Sequence, residues 1–193
     1  LFLSILIAGA WLIIHKKKSL KESIKFIFNP KVFFSKSATS DYKVFFINQF
    51  IMLLISPHLL TQITIATALY FFFFEINFID MGIFAAAPKY LIISLFTFTH
   101  FVVDDFSKYI VHRWMHRWPF LWALHKVHHS ATNLTPMTVF RTHPLEGLVF
   151  TLRSAFAQGL TISTFVYLFG GGVDLYTVLG ANLFVFLFNV FGS

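Results

Sequence analysis

Long apolar stretches separated by shorter polar segments dominate the chain, and they predict helices that cross a membrane. A bilayer crossing needs about 20 predominantly apolar residues. Five segments approach or reach that length: residues 1–14, 44–74, 83–103, 148–169 and 173–191. We interpret the first as the tail of a longer span. The pattern therefore predicts an all-α, multi-pass transmembrane protein with about four to five spans.

The composition supports this interpretation. Of the 193 residues, 57% are hydrophobic and 12% are charged, whereas a soluble domain carries roughly 25% charged residues. The 28 phenylalanines exceed what a soluble core of this length holds, and lipid is the natural environment for the excess. The chain has no cysteine, so nitrogen and oxygen atoms must hold any metal ion.

The formal net charge of +7 does not indicate nucleic-acid binding, because the positive charge is concentrated beside apolar segments. Eight of the 15 Lys and Arg residues lie between Lys16 and Lys43, interleaved with Phe and Ile. Such a stretch is typical of a cytoplasmic loop that faces anionic lipid headgroups. The same rule places residues 104–146 on the cytoplasmic side.

Five clustered histidines are the strongest chemical feature of the sequence. His112 and His116 are four residues apart and share one face of a helix. His125, His128 and His129 form a second group, and on a helix the last two flank the first. A proline between the groups, Pro119, lets the two helical pieces fold toward each other. Five imidazoles exceed what one tetrahedral zinc ion needs.

Elimination favours iron as the metal. Imidazole suits zinc, copper, iron and nickel. The zinc-protease helix motif needs a glutamate after its first histidine, but Arg113 stands there. Carboxylate-bridged di-iron bundles need several glutamates, and the chain has only Glu22, Glu75 and Glu146. A histidine-rich di-iron site passes both tests.

Several polar residues near these histidines are candidates for supporting roles. Asp105 and Tyr109 lie on the same helical stripe as the first pair and are suited to orient a ligand ring. Arg141 and His143 are further candidates to support a ligand or face a substrate. Glu146 is accounted for by its place in the first turn of a helix.

The other aromatic and imidazole side chains nearby are explained by structure and not by metal binding. The helix that carries Glu146 is predicted to begin at Pro144. Trp114, Trp118 and Trp122 follow a four-residue spacing that predicts an aromatic belt at the membrane interface. His100 lies off the face of the first histidine pair, so we do not include it among the ligands.

Three motif blocks resemble the fatty acid hydroxylase/sterol desaturase superfamily. Residues 105–116 read Asp-Phe-x-x-Tyr-x-x-His-Arg-x-x-His, and residues 121–130 read Leu-Trp-x-x-His-x-x-His-His-Ser. Residues 141–146 read Arg-x-His-Pro-x-Glu. The resemblance covers residues 99–193, which we predict to be a catalytic domain. Residues 1–98 are then N-terminal membrane spans and a basic cytoplasmic loop.

The resemblance implies a membrane-bound oxygenase. Such an enzyme binds two iron ions at the cytoplasmic face, uses O2 as co-substrate and takes electrons from a reduced carrier protein. It hydroxylates or desaturates an acyl chain, a sterol, a sphingoid base or an ether lipid. The membrane is that of the endoplasmic reticulum or the bacterial inner membrane. The carrier is expected to be attracted by four basic residues: Lys108, Arg113, Arg117 and Lys126.

The resemblance also assigns the metal ligands. His112 and His116 match the first histidine box, and His125, His128 and His129 match the second. A third box, His-x-x-His-His, and the histidine that usually precedes it are absent, so we expect the catalytic domain to be truncated at its C-terminus. Five ligands cannot fill two iron coordination spheres. We therefore expect this chain alone to bind metal poorly and to be inactive.

Two other classes of function remain open from the sequence. A zinc-dependent membrane hydrolase would use metal-bound water and a nearby carboxylate base. A non-enzymatic metal transporter or haem-binding membrane protein would use some of the histidines as ligands. Neither class explains both histidine groups together.

Overall fold

Every regular element is helical in the computed structural model, which describes residues 2–56, 61–77, 79–170 and 173–191. Two 3-10 turns, His128–Ser130 and Pro136–Phe140, precede the penultimate helix. The helices are α1 Phe2–Ile14, α2 Leu20–Ile27, α3 Pro30–Phe33, α4 Lys36–Ile55, α5 Gln62–Ile76, α6 Lys89–Arg117, α7 Pro119–His125, α8 Pro144–Phe169 and α9 Leu175–Phe191. The all-α prediction is confirmed.

One helix in these ranges, α6, is long and apolar enough to cross a membrane, judged by length and composition. Shorter apolar stretches lie in three other helices: Ile5–Ile14, Ile63–Ile76 and Leu175–Phe188. The predicted number of spans, and the side on which each loop lies, stay predictions.

The predicted span over residues 44–74 is wrong as a single element, because two helices occupy it. The first, α4, begins earlier, where Ser35 Oγ accepts a hydrogen bond from the amide of Ala38, and ends at Ile55. The second, α5, begins after Thr61, whose hydroxyl accepts from the amide of Thr64. Hydropathy alone does not register such caps. Pro57, at which the sequence predicts that a span this long would tilt or kink, lies outside the described residues.

The predicted span over residues 83–103 begins later and extends further than expected. Pro88 directly precedes α6, and the helix continues without a break to Arg117. No proline or glycine interrupts residues 89–117, so nothing in the sequence stops the helix at the end of its apolar part. The apolar segment and the first histidine pair therefore share one helix, and the predicted boundary between residues 98 and 99 falls within it.

Close packing of α8 against α5 and α6 positions the site. Gly159 of α8 lies against Ile65 of α5, where an added Cβ would be 2.8 Å from Ile65 Cγ2. On the other side, Arg153 of α8 donates to the carboxylate of Asp104 on α6 at 2.7 Å. Phe96 of α6 is fully buried against Phe165 of α8. These contacts hold the start of α8 beside the histidine-bearing end of α6. Three consecutive glycines at residues 170–172 predict a tight turn between the last two apolar segments. Gly170 follows α8 with φ +62°, while residues 171 and 172 lie outside the described ranges.

Candidate metal centre

A reversal of the chain after α6 brings the two histidine groups together, as Pro119 predicts. α6 ends at Arg117, and Pro119 is the first residue of α7, which packs back against α6. The ring of His125, at the end of α7, lies 4.8 Å from that of His112 and 4.7 Å from that of His116, measured between centroids. Residues from two helices thus share one cluster.

The ring nitrogens of the cluster face one another at distances that suit a shared metal ion. His112 Nε2 lies 3.2 Å from His116 Nε2, and His125 Nε2 lies 3.1 Å from His129 Nε2. A metal–imidazole bond is about 2.0–2.1 Å, so two nitrogens on one ion lie about 3 Å apart. Nitrogens from His112, His116 and His125 all lie within 4.8 Å of one another. The donor set and its spacing fit a metal centre.

His128 lies at the edge of the cluster. Its ring centroid is 5.7 Å from that of His125 and 5.4 Å from that of His129. Its Nδ1 atom is buried and has no hydrogen-bond partner in the described part of the chain. A buried polar atom without a partner costs free energy, and a bound ion would satisfy it. The structure therefore brings together all five histidines that the sequence predicts as ligands.

Glu146 has a role that the sequence analysis missed. Its carboxylate is buried, and Oε1 lies 2.8 Å from Nδ1 of His125, which is also buried. A carboxylate accepts the proton of Nδ1–H and so leaves Nε2 with its lone pair directed into the cluster. The helix does begin at Pro144, but the explanation of Glu146 as a helix start alone is incomplete.

Electrostatics favour neutral imidazoles, which is the form that binds metal. Partial desolvation lowers the pKa of His129, and the neighbouring imidazoles of His125 and His116 lower it further. Two positive rings at these separations would repel each other. His129 therefore favours the neutral form, which leaves a ring nitrogen available as a ligand.

The remaining candidates from the sequence contact other groups. Asp105 is exposed, and within the described ranges no hydrogen bond joins it to a histidine of the cluster. The hydroxyl of Tyr109 accepts from Arg113 at 3.1 Å. His143 caps α8, where its Nδ1 accepts from the amide of Leu145. Their predicted supporting roles stay predictions.

Arg141 instead connects the loop after the second histidine group to α4. Its buried guanidinium donates to the carboxylate of Asp41, which is fully buried, and to the carbonyl of Ser37. The same guanidinium donates to Ser130 Oγ at 3.3 Å, next to His129. Arg141 therefore holds the end of the second histidine group in place without contacting a ligand ring through any described hydrogen bond.

The three tryptophans do not form one stripe. Trp114 and Trp118 stack in parallel with centroids 5.5 Å apart, and both are exposed. Trp122 belongs to α7, and its ring lies 5.4 Å from that of His116 and 5.6 Å from that of His129. The indole of Trp122 is therefore a wall of the histidine cluster. The stripe breaks because α6 ends before Trp118.

The fold and the cluster define a class: an all-helical chain in which five histidines from two consecutive helices and the following turn converge beside a buried carboxylate. Residues 97–191, just under half of the chain, match the fatty acid hydroxylase family. This match and two curated sterol desaturases support the fatty acid hydroxylase/sterol desaturase superfamily for this part of the chain.

Two curated relatives share short stretches with the chain. The Delta(7)-sterol 5(6)-desaturase ERG3 of Saccharomyces cerevisiae is 43% identical over 60 residues, which are 31% of this chain and 16% of the relative. The Delta(7)-sterol 5(6)-desaturase of Eremothecium gossypii is 33% identical over 73 residues, or 37% of this chain and 20% of the relative. The matched region thus spans a fifth or less of each relative's length. No solved structure matches the chain.

Proposed function

We propose that this chain is part of a membrane-bound, O2-dependent di-iron oxygenase that hydroxylates or desaturates a lipid. The observation that carries the proposal is the convergence of paired imidazole nitrogens 3.1–3.2 Å apart, with Glu146 bound to one of the rings. The family match and the two sterol desaturase relatives support the same class of chemistry.

The residues of this chain would hold and orient the metal centre. His112 and His116 form one pair of donors, His125 and His129 another, and His128 offers a fifth. Two iron ions bound there would supply the activation of O2 and the removal of hydrogen from an unactivated C–H bond, which side chains alone cannot perform. Hydroxylation consumes O2, two electrons and two protons, puts one oxygen atom into the lipid and releases the other as water.

Glu146 keeps one proton at Nδ1 of His125, and the indole of Trp122 packs beside the rings of His116 and His129. Both roles belong to the protein and do not depend on the identity of the lipid. A sterol is the first substrate class to assay, because both relatives are named as sterol desaturases.

The chain would place this centre at the cytoplasmic face of a membrane with about four to five spans, α6 among them. A lipid substrate then reaches the histidines from the bilayer. An electron-donor protein would approach from the cytoplasm, guided by exposed basic residues near the cluster: Lys108, Arg113, Arg117 and Lys126. Charge reversal at these positions is expected to slow reduction, and unchanged reduction kinetics would contradict this part of the proposal.

The site fits the alternative functions less well. A zinc hydrolase needs a free carboxylate base near the metal, but Glu146 is bound to His125 and Asp104 is paired with Arg153. A transporter would hold its ligands near the bilayer midplane, whereas His112 and His116 lie near the end of α6 that follows its apolar part. A haem group needs one or two axial histidines and leaves the others unexplained.

The test uses the natural gene product that contains these residues, purified in detergent. Iron and zinc are measured by mass spectrometry, and conversion of a Delta(7)-sterol and of an acyl lipid is followed with reductant, in air and under anaerobic conditions. We expect two irons per protein and O2-dependent oxidation, both lost in His112→Ala and retained in His15→Ala, which alters an exposed histidine outside the cluster. Bound zinc with conversion that needs neither O2 nor reductant would overturn the proposal.

A further inference from the structure

One face of the helix α2 packs against α1, and its other side is exposed in the described part of the chain. Its start is held by a reciprocal capping box, in which Ser19 Oγ accepts from the amide of Glu22 and the Glu22 carboxylate accepts from the amide of Ser19. Ser23 is buried, and Ile27 lies beside Gly9 of α1. The orientation of α2 is therefore defined, and so is the set of side chains that it leaves exposed.

Several large apolar side chains are exposed on α2 and at the C-terminal caps of α2 and α3. The exposed fractions are 66% for Leu20, 51% for Ile24, 60% for Phe26, 48% for Phe28 and 80% for Phe34. Five exposed apolar side chains thus lie within a stretch of 15 residues, and apolar surface of this kind marks sites of interaction with proteins or membranes.

Eight lysines lie in this segment or close to it in sequence, and the acids nearby are already engaged. The lysines are Lys16, Lys17, Lys18, Lys21, Lys25, Lys31, Lys36 and Lys43. Glu22 belongs to the capping box, and Asp41 is buried with Arg141. None of the eight lysines forms an ion pair in the ranges that the structure describes.

Positive and apolar groups are in direct contact on this surface. The ammonium group of Lys18 lies over the ring of Phe26, 4.6 Å from its centroid. A lysine can extend its ammonium toward lipid headgroups while its methylene chain stays beside apolar groups. A short helix with an apolar face bordered by lysines is typical of segments that lie in a membrane interface.

We propose that α2 and α3 lie in the headgroup region of an anionic membrane leaflet. Leu20, Ile24 and the exposed phenylalanines enter the boundary between headgroups and acyl chains, and the lysines bind the negative charges of the phospholipids. The flanking helices support this occupant over an acidic protein, because α1 and α4 also expose apolar side chains, among them Trp11, Phe46 and Phe50. The inference goes beyond the proposed oxygenase and does not depend on it.

The absence of cysteine from the sequence allows a direct test with a single label. Ile24→Cys in the full chain is labelled with an environment-sensitive fluorophore and reconstituted into vesicles of phosphatidylcholine, alone or mixed with phosphatidylserine. Lys25→Cys is the matched control, one residue on and about 100° around the helix. Emission wavelength, quenching by acrylamide in water and quenching by spin-labelled acyl chains are compared.

We expect the label at position 24 to shift to shorter wavelength and to be quenched by the acyl-chain probe in phosphatidylserine vesicles, with a shift several-fold smaller in phosphatidylcholine alone. The label at position 25 should stay accessible to acrylamide. Replacing Lys16, Lys17, Lys18 and Lys21 with Gln should remove the dependence on phosphatidylserine.

Equal acrylamide quenching at both positions in both kinds of vesicle would overturn the proposal. So would an emission from position 24 that is the same in both vesicles. The measurement needs neither iron nor O2, so its failure would leave the oxygenase proposal untouched.

Discussion

The imidazole of His125 and the carboxylate of Glu146 meet through a 2.8 Å contact between two side chains that are both almost fully buried, although 21 positions separate them in the chain. The contact crosses from the end of α7 to the first turn of α8. The contact therefore depends on how α8 packs against its neighbours. It also explains why an acid is buried beside a cluster of potential metal ligands.

Removing the carboxylate of Glu146 is expected to weaken metal binding. Glu146→Ala leaves Nδ1 of His125 without its acceptor, and loss of such a partner costs about 10–100-fold in metal affinity. Glu146→Gln retains an oxygen acceptor and should lie between wild type and Glu146→Ala. Competition titration of Fe²⁺ against a chromophoric chelator, with the natural gene product that contains these residues, measures the affinities.

Glu75→Ala is the control for this series, because Glu75 is an exposed acid outside the site. It should bind metal as wild type does. An Fe²⁺ affinity of Glu146→Ala equal to that of the control would mean that the carboxylate has no role in holding the ligand.

The buried pair of Asp41 and Arg141 is expected to be essential for stability. Asp41→Ala leaves a buried guanidinium without its counter-ion, which costs about 3–5 kcal/mol. Because the same guanidinium donates to Ser130, next to His129, metal affinity should fall as well. Thermal unfolding in detergent measures the first effect, and metal titration measures the second.

Lys89→Ala is the comparison for this pair, since Lys89 makes an ion pair with Asp174 that is exposed to solvent. Its effect on the unfolding temperature should be far smaller than that of Asp41→Ala. Equal effects from the two variants would show that the burial of Arg141 does not matter.

The close approach of α5 and α8 at Gly159 is also testable. In Gly159→Ala the new Cβ would lie 2.9 Å from Ile65 Cβ and 3.1 Å from the backbone nitrogen of Ala66, so the helices must move apart. Overpacking of this kind costs about 1–3 kcal/mol. Gly180→Ala meets no atom within 4 Å and should be neutral or stabilising. Thermal unfolding of both variants tests this: Gly159→Ala should lower the unfolding temperature, and Gly180→Ala should not.

The start of α9 is expected to respond to acid only at low pH. Lys89 donates to the carboxylate of Asp174, the amide and hydroxyl of Thr177 also donate to it, and together they lower its pKa to about 2. Since the folded state favours the ionised form, the stabilisation is complete well above the ordinary value of 3.8 and is lost as the pH falls toward 2.

Unfolding temperatures of wild type and Asp174→Asn, compared from pH 6 down to the lowest pH at which folding is reversible, test this expectation. The difference between their unfolding temperatures should become smaller below pH 4. A gap that stays constant over that range would show that the carboxylate charge makes no contribution.

Features that depend on neighbours in sequence could be predicted from the sequence. The spacing of His112 and His116, the break at Pro119 and the start of α8 at Pro144 all follow from local rules, and the structure agrees with each. Helix periodicity and proline chemistry act over a few residues, so no knowledge of packing is needed.

Features that depend on the packing of distant segments could not be predicted from the sequence. Asp41 and Arg141 are 100 positions apart, and no local pattern pairs them. Glu146 has a sufficient local explanation as a first-turn acid, and this concealed its contact with His125. Trp122 keeps the spacing of a helical stripe, but the end of α6 turns it toward the histidines. In each case the missing information was the direction of one helix relative to another.

The unbroken course of α6 has a mechanical consequence for the metal centre. Its 29 residues form one rod with a rise of about 1.5 Å per residue, so the apolar segment and the first histidine pair move as a single body. Any shift of the helix along its axis moves His112 and His116 by the same distance in that direction. One residue inserted among the apolar positions would rotate both rings by about 100° away from His125. The axial register of α6 thereby determines whether His112 and His116 can meet His125.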